Sequence, residues 1–130
     1  VLKVGLEPFY SPFEYFDAGE LVGFDVDLAE ELGLELGVEI DFVSRSWDNL
    51  VLELHTGKID IILSAMSIRP DREIDRNFTI PYHTMPGSDD LGIAVREGEI
   101  SLLNELNNII ALIKSDGRYD ILHDKWLSAD

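Results

Sequence analysis

Five segments in the first half of the chain switch between the two apolar periods of regular structure, and this switching restricts the fold more than any other property of the sequence. LKVGL (2–6) alternates as a strand, with Val4 and Leu6 on one face. From Phe24 the leucines recur every four residues at Leu28, Leu32 and Leu36, with Asp25 as the expected N-cap and Gly37 just past the end. Gly33 lies inside this helix and weakens its last turn by about 1 kcal/mol relative to alanine. VEIDFV (38–43) alternates again. Ser46 then caps a second helix whose inner face is Leu50, Val51 and Leu54, and Gly57 closes it. IDIILS (59–64) is a continuous apolar run between turn signals, the pattern of a strand buried on both faces. Strand, helix, strand, helix, strand implies right-handed crossovers and a parallel sheet.

The remaining segments are placed around that frame. EPFYSPFEYFDAGE (7–20), with Pro8, Pro12 and Gly19, is expected as an aromatic-rich loop at the carboxyl end of the first strand. Pro70 favours the first position of a short helix over 70–75, NFTIPY (77–82) is expected to be extended, and HTMPGSDD (83–90) has linker composition. LGIAVR (91–96) reads as a strand. Leu102, Leu103, Leu106, Ile109, Ile110 and Ile113 keep helical spacing, Gly117 stops the run, and RYDILHDKWL forms a terminal helix. A length of 130 residues suits one domain, 1–130.

Composition removes several classes of function. Twenty-six Asp and Glu against ten Lys and Arg give a formal charge of −16, a field that repels nucleic acid and anionic lipid. No apolar run approaches the ~20 residues of a membrane span, so no membrane insertion is expected. The chain opens at Val1 without a basic, apolar leader, which is read as no signal peptide. Cysteine is absent, which removes thiol catalysis and thiolate zinc sites. His55, His83 and His123 lack a second ligand at metal spacing and are read as surface or capping residues. The DVD at 25–27 lacks the glycine and later carboxylates of a calcium loop. Ser64 and Ser67 stand in no nucleophile pattern. No metal, cofactor or enzymatic activity is expected.

Against this acidity, Arg69, Arg72 and Arg76 cluster within eight positions. In an open parallel sheet, ligands bind outside the carboxyl ends of the strands. EPFYSPF, SRSWD and SAMSIRPDR all reach that rim, bringing Tyr10, Trp47, Ser64, Ser67, a helix start near Pro70 and the Arg72 guanidinium. Arg72 can take a carboxylate bidentately, hydroxyls and loop carbonyls can accept from an ammonium, and the rings can sandwich a side chain or attract a cation. These groups match a small zwitterion.

VGLEPFYSPFEYFDAGELVGFDVDLAEELG, SWDNLVLELHTGKIDIILSAMSIRPDRE, FTIPY, LGIAVREGE and YDILHDKW together resemble the first lobe of the extracellular solute-binding proteins that deliver polar amino acids to ABC transporters. The resemblance covers nearly all of 2–127. It implies a three-layer αβα, flavodoxin-like type II periplasmic-binding lobe. Its sheet would be mostly parallel, with the first three strands in order 2-1-3 and the 91–96 strand antiparallel. It also implies that Tyr10 and Trp47 flank the ligand side chain, that Arg72 holds the α-carboxylate, that Ser64 is the site residue directly after the third strand, and that the Ala65 carbonyl and the Ser67 hydroxyl contact the α-amino group. Glu7 stands where relatives with basic ligands use a carboxylate. Arg69 departs from the pattern, since a threonine usually caps the next helix there, and an arginine could crowd the receptor.

A larger departure is the missing second lobe, in whose place the linker 83–90 joins 1–82 to 91–130. A half-cleft of this kind is expected to bind an amino acid only at millimolar concentration or weaker, and the clean excision reads as an engineered or minimised single lobe. Phe9, Phe13, Tyr15 and Phe16 are more simply core than ligand contacts. Even so, loss of the second lobe is expected to leave Phe9, Tyr10, Phe13 and Trp47 as an apolar patch suited to a homodimer. The resemblance further implies a periplasmic or extracellular parent that docks on a transporter permease. The alternative reading is a remnant of a cyclohexadienyl dehydratase-like enzyme, whose acid or base would come from the missing side.

Overall fold

A computed structural model describes residues 1–128. In chain order the elements are β1 (Leu2–Leu6), β2 (Phe9–Tyr10), β3 (Glu14–Asp17), β4 (Glu20–Val22), α1 (Phe24–Leu36), β5 (Ile40–Ser44), α2 (Trp47–Thr56), β6 (Ile61–Ile62), β7 (Asn77–Phe78), β8 (Ala94–Val95), α3 (Ile100–Ser115) and α4 (Arg118–Trp126). The main sheet has the order β5-β1-β6-β8-β7. Its first three strands are parallel, with Val4 opposite both Phe42 and Ile61, and β8 runs antiparallel to β6 and β7. The 2-1-3 order and the antiparallel return expected from the sequence are both present.

Side chains leave this sheet in two directions, and each set finds a helical layer. Val4, Ile61, Leu63 and Val95 pack with Phe24, Leu28 and Leu32 of α1 and with Leu106, Ile110 and Ile113 of α3. Ile62 and Ala94 pack on the other side with Leu50 and Leu54 of α2. Burial on both faces explains why 59–64 is apolar without alternation. Burying Leu50 and Leu54 contributes about 1.5–3 kcal/mol each. A Cβ at Gly5 would lie 2.4 Å from Ile59 Cδ1, so the absence of a side chain there lets β1 approach that layer.

Several local expectations give way to longer-range bonds. The stretch read as a loop, 7–20, instead supplies most of a three-stranded antiparallel sheet, β2-β3-β4, that spans residues 9–22. Asp17 pairs with Glu20 across Ala18 and Gly19, both at positive φ (51° and 83°), the geometry of a tight two-residue hairpin. Asp25 is not the N-cap of α1. It lies within the helix, fully buried, while Phe24 N and Asp25 N donate to the Pro12 and Phe13 carbonyls at 2.9 Å. Those carbonyls satisfy donors that a side chain would otherwise cap. Gly37 and Gly57 end their helices in the left-handed conformation, as their positions suggest.

Residues 70–75 are turns, not a helix, with the Arg72 and Glu73 amides both donating to the Arg69 carbonyl. His83 is buried rather than at the surface, and its Nδ1 lies 2.7 Å from the Tyr119 hydroxyl. The 91–95 run is extended, with Gly92 N donating to Met66 O, and Leu91 N to His83 O at 2.9 Å. The segment 84–90 thus leaves and returns at one bridge, His83 to Leu91. On the outer face α4 is fastened to α1: Asp27 accepts from Trp126 Nε1 at 2.7 Å and Lys125 Nζ at 3.0 Å, while Arg118 pairs with Glu31 and Glu35. No helix among the described residues is long and apolar enough to cross a membrane.

Candidate functional site

Parallel strands β1 and β6 end side by side, and the segments that follow them enclose a concavity of about 270 Å³. Glu7, Tyr10, Trp47, Ser64 and Ala65 line it, five of the seven residues named from the sequence, and Phe9 and Glu14 complete the wall. Arg72 and Ser67 adjoin it. The Arg72 guanidinium lies 5.5 Å from the centre of the Trp47 ring and donates through Nη1 to the Ser67 carbonyl at 3.0 Å. A wider concavity of about 650 Å³ lies between residues 68–81 and 88–90, away from these strand ends and without an aromatic platform beyond Phe78.

Glu7 has a structural partner that its sequence position does not disclose. Its Oε2 accepts from the Trp47 amide at 2.8 Å, so the carboxylate caps the N-terminus of α2 from forty residues away. Ser46, the expected cap, makes no such bond; its hydroxyl accepts from Asn49 Nδ2 at 2.9 Å. Glu7 Oε1 accepts no hydrogen bond among the described residues.

The three arginines have different environments. Arg69 forms a fork with Asp71, at 3.1 and 2.9 Å, while its charge still acts on Arg72. Arg76 is nearly buried, bonded to Asp75 and against Met66 Sδ. Arg72 uses one donor on Ser67 and keeps the others free of partners among the described residues. Burial first, then the charges of Arg69 and Arg76, pull its pKa below the ordinary arginine value.

Beneath the concavity lies a feature the sequence reading missed. Ser64 is buried; its hydroxyl accepts from Glu7 N at 3.0 Å and donates to Glu14. Asp25 Oδ2 accepts from Ala65 N at 2.7 Å, where Ala65 holds φ at 46°. Both carboxyls are fully buried and within hydrogen-bonding reach of each other, with the Tyr82 hydroxyl in reach of Asp25; Glu14 Oε2, Asp25 Oδ1 and that hydroxyl find no other partner among the described residues. Burial, then the charge of Asp25 and a hydrogen bond to it, lift Glu14 to about 10; burial lifts Asp25 to about 6 against the bonds it accepts. A glutamate in a stretch read as loop gave no sign of this. Alternation in FEYF would place Glu14 on the face opposite Phe13 and Tyr15, so it too points away from burial.

The apolar patch expected at the rim is smaller than foreseen. Phe9 is 82% exposed and Tyr10 49%, but Phe13 is core, in edge contact with Phe24 at 6.0 Å. Phe16 is 51% exposed, so neither Phe9 nor Phe16 is a core aromatic.

A doubly covered, mostly parallel sheet with a concavity at its strand ends is the lobe architecture of a type II periplasmic-binding protein. The chain belongs to the bacterial extracellular solute-binding proteins, family 3, which it matches over residues 2–129. Among relatives, it is 45% identical over 82 residues to a probable histidine-binding protein of Campylobacter jejuni, covering 63% of this chain and 32% of that one. It is 35% identical over 106 residues to the L-cystine-binding protein TcyJ of Escherichia coli, covering 81% and 40%. The chain therefore spans between a third and two fifths of the length of these relatives. Among solved structures, a Phe57Trp mutant of the arginine-bound form of domain 1 from TmArgBP matches with a TM-score of 0.86 at 42% identity, covering 88% of this chain and 92% of that one.

Proposed function

We propose that this chain is a single ligand-binding lobe for a basic amino acid, with Arg72 on the carboxylate and the Tyr10, Trp47 and Glu7 concavity on the cationic side chain. The observation that carries this reading is the meeting of two rings, a carboxylate oxygen and an adjoining guanidinium at one pair of strand ends. Ala65 and Ser67 sit between the two regions and serve the α-amino group through the backbone and hydroxyl; Ser64 holds the loops together from below. The arginine-bound state of the TmArgBP domain and the name of the Campylobacter relative agree with a cationic ligand. In this proposal the segment 83–90 stands where relatives carry a second lobe, and the natural parent works outside the cytoplasm with a transporter permease. The engineered or minimised origin belongs to the same reading. Self-association through the exposed Phe9 and Tyr10 also belongs to it, and would appear in sedimentation as a concentration-dependent mass.

With one wall only, charged hydrogen bonds stay near water and a total of about 4 kcal/mol corresponds to roughly millimolar affinity. Titration with L-arginine, L-histidine, L-glutamine and L-glutamate, followed by amide NMR, tests the reading. Arginine or histidine should shift Trp47 and Ala65 at about millimolar concentration, and Arg72→Met should weaken binding about tenfold or more. Shifts confined to other surfaces, or an unaffected Arg72→Met, would refute it; micromolar binding by a monomer would refute the weak affinity.

A further inference from the structure

The floor of the concavity is a line of buried groups that ends in two orphaned acceptors. Glu7 N donates to Ser64 Oγ, Ser64 donates to Glu14 Oε1, and from the other side Ala65 N donates to Asp25 Oδ2. Glu14 Oε2 and Asp25 Oδ1 remain; the two carboxyls are within hydrogen-bonding reach of each other, and the Tyr82 hydroxyl is in reach of Asp25 alone. Two carboxylates cannot satisfy one another, and two buried negative charges side by side are strongly unfavourable. We propose that Glu14 and Asp25 share one proton, and that this proton-sharing pair is the positioning device that holds the Ser64–Ala65 corner of the ligand site in shape. One proton turns Glu14 into a donor and completes the line from the Glu7 amide to the Ala65 amide. Four segments distant in sequence, the ends of β1 and β6, the strand β3 and the first turn of α1, are then fixed by a single continuous set of bonds.

The surroundings favour the neutral form of one member. Facing the pair are Glu7 from the end of β1, Ser64 and Ala65 after β6, and the Tyr82 hydroxyl; His83 lies tilted against Phe13 and Phe24, with ring centres 5.9 Å apart. Among the described residues neither carboxyl is paired with a Lys, Arg or His. Glu7 adds negative charge, and nothing opposite in sign offsets it. At alkaline pH the proton leaves to solvent, the two charges repel, and Asp25 no longer holds the Ala65 amide in its left-handed turn. The consequence for ligand binding rests on the function proposed above, whereas the consequence for the corner does not.

The ligand-free protein therefore provides the test. From pH 5 to 10.5, the side-chain carboxyl carbon of Glu14 should stay at its neutral-acid position through pH 7, and the Ala65 amide should titrate with it on the alkaline side. Glu14→Gln, a permanent donor of the same shape, should keep the Ala65 amide at its low-pH position throughout, and Asp25→Asn should flatten its titration by another route. The ratio of arginine affinity at pH 7 to that at pH 9.5 should be about tenfold larger in wild type than in Glu14→Gln. A Glu14 carboxyl that titrates near the ordinary 4.5 overturns the proposal, as does an Ala65 titration that persists in Glu14→Gln. If arginine fails to bind while Glu14 and Ala65 titrate together, the ligand reading falls and the shared proton stands. If arginine binds and the Ala65 amide does not move with pH, the reverse holds.

Discussion

Removing the Glu7 carboxylate tests whether a residue lining the concavity also holds the scaffold together. The bond to the Trp47 amide is 2.8 Å long and ends on the first residue of α2, where Ser46 supplies no acceptor of its own. Loss of an N-cap acceptor costs about 1 kcal/mol, and the favourable placement of a negative charge at a helix start adds about 0.3–1 kcal/mol. Glu7→Ala should thus lower the unfolding free energy by about 1.5 kcal/mol, equivalent to roughly 5 °C in Tm for a domain of this size. Glu7→Gln keeps an acceptor and loses only the charge, so it should cost about 0.5 kcal/mol. Urea unfolding followed by far-UV circular dichroism reads both values, and amide exchange should localise the loss to the first turn of α2. The charge-dependent share should shrink in high salt, because exposed charges are screened. The capping argument is refuted if Glu7→Ala unfolds within about 0.3 kcal/mol of wild type, or if alanine and glutamine are equally costly.

Two further outcomes follow from the same geometry. Gly23→Ala should be among the most destabilising single changes, because Gly23 has φ 137° and an added Cβ would meet the Phe13 carbonyl oxygen at 2.2 Å; a loss of at least about 2 kcal/mol in thermal or chemical unfolding is expected, and an unchanged Tm would refute it. Stability should also fall as pH rises from 6 to 8, since the folded-state values of Glu14 and Asp25 are raised above their unfolded ones and the folded protein holds the extra proton. That contribution is complete below about pH 4 and is lost towards pH 10, with a slope of about 1 kcal/mol per pH unit near neutrality. Glu14→Gln should flatten the slope, and an unchanged slope in that variant would exclude Glu14 as its source.

What the sequence disclosed and what it hid divide along the range of the interactions. The leucine spacing of 24–36, the alternation of 2–6 and the glycines at 37 and 57 are local signals, and the βαβαβ order and the 2-1-3 sheet follow from them. Five of the seven named site residues reach one concavity because strand ends in such a sheet converge regardless of loop detail. Capping was misjudged where the acceptor is remote: the Pro12 and Phe13 carbonyls replace Asp25, and Glu7 replaces Ser46. Pro70 suggested a helix, but the Arg69 carbonyl closes successive turns instead. Pro8 and Pro12 masked the hairpins of 7–20, and with them the inward course of Glu14. A buried carboxyl pair cannot be inferred from residues eleven positions apart in an acidic chain, because nothing local distinguishes them from solvated neighbours.

The bridge between His83 and Leu91 has a consequence for chain architecture. Two backbone hydrogen bonds, Leu91 N to His83 O and Tyr82 N to Leu91 O, fix the spacing at which the polypeptide departs and comes back. Closing a longer excursion there costs only about 0.6 kcal/mol for each doubling of its length. That pair of residues is a splice port, at which the seven residues 84–90 leave and rejoin the sheet without resetting a single strand register.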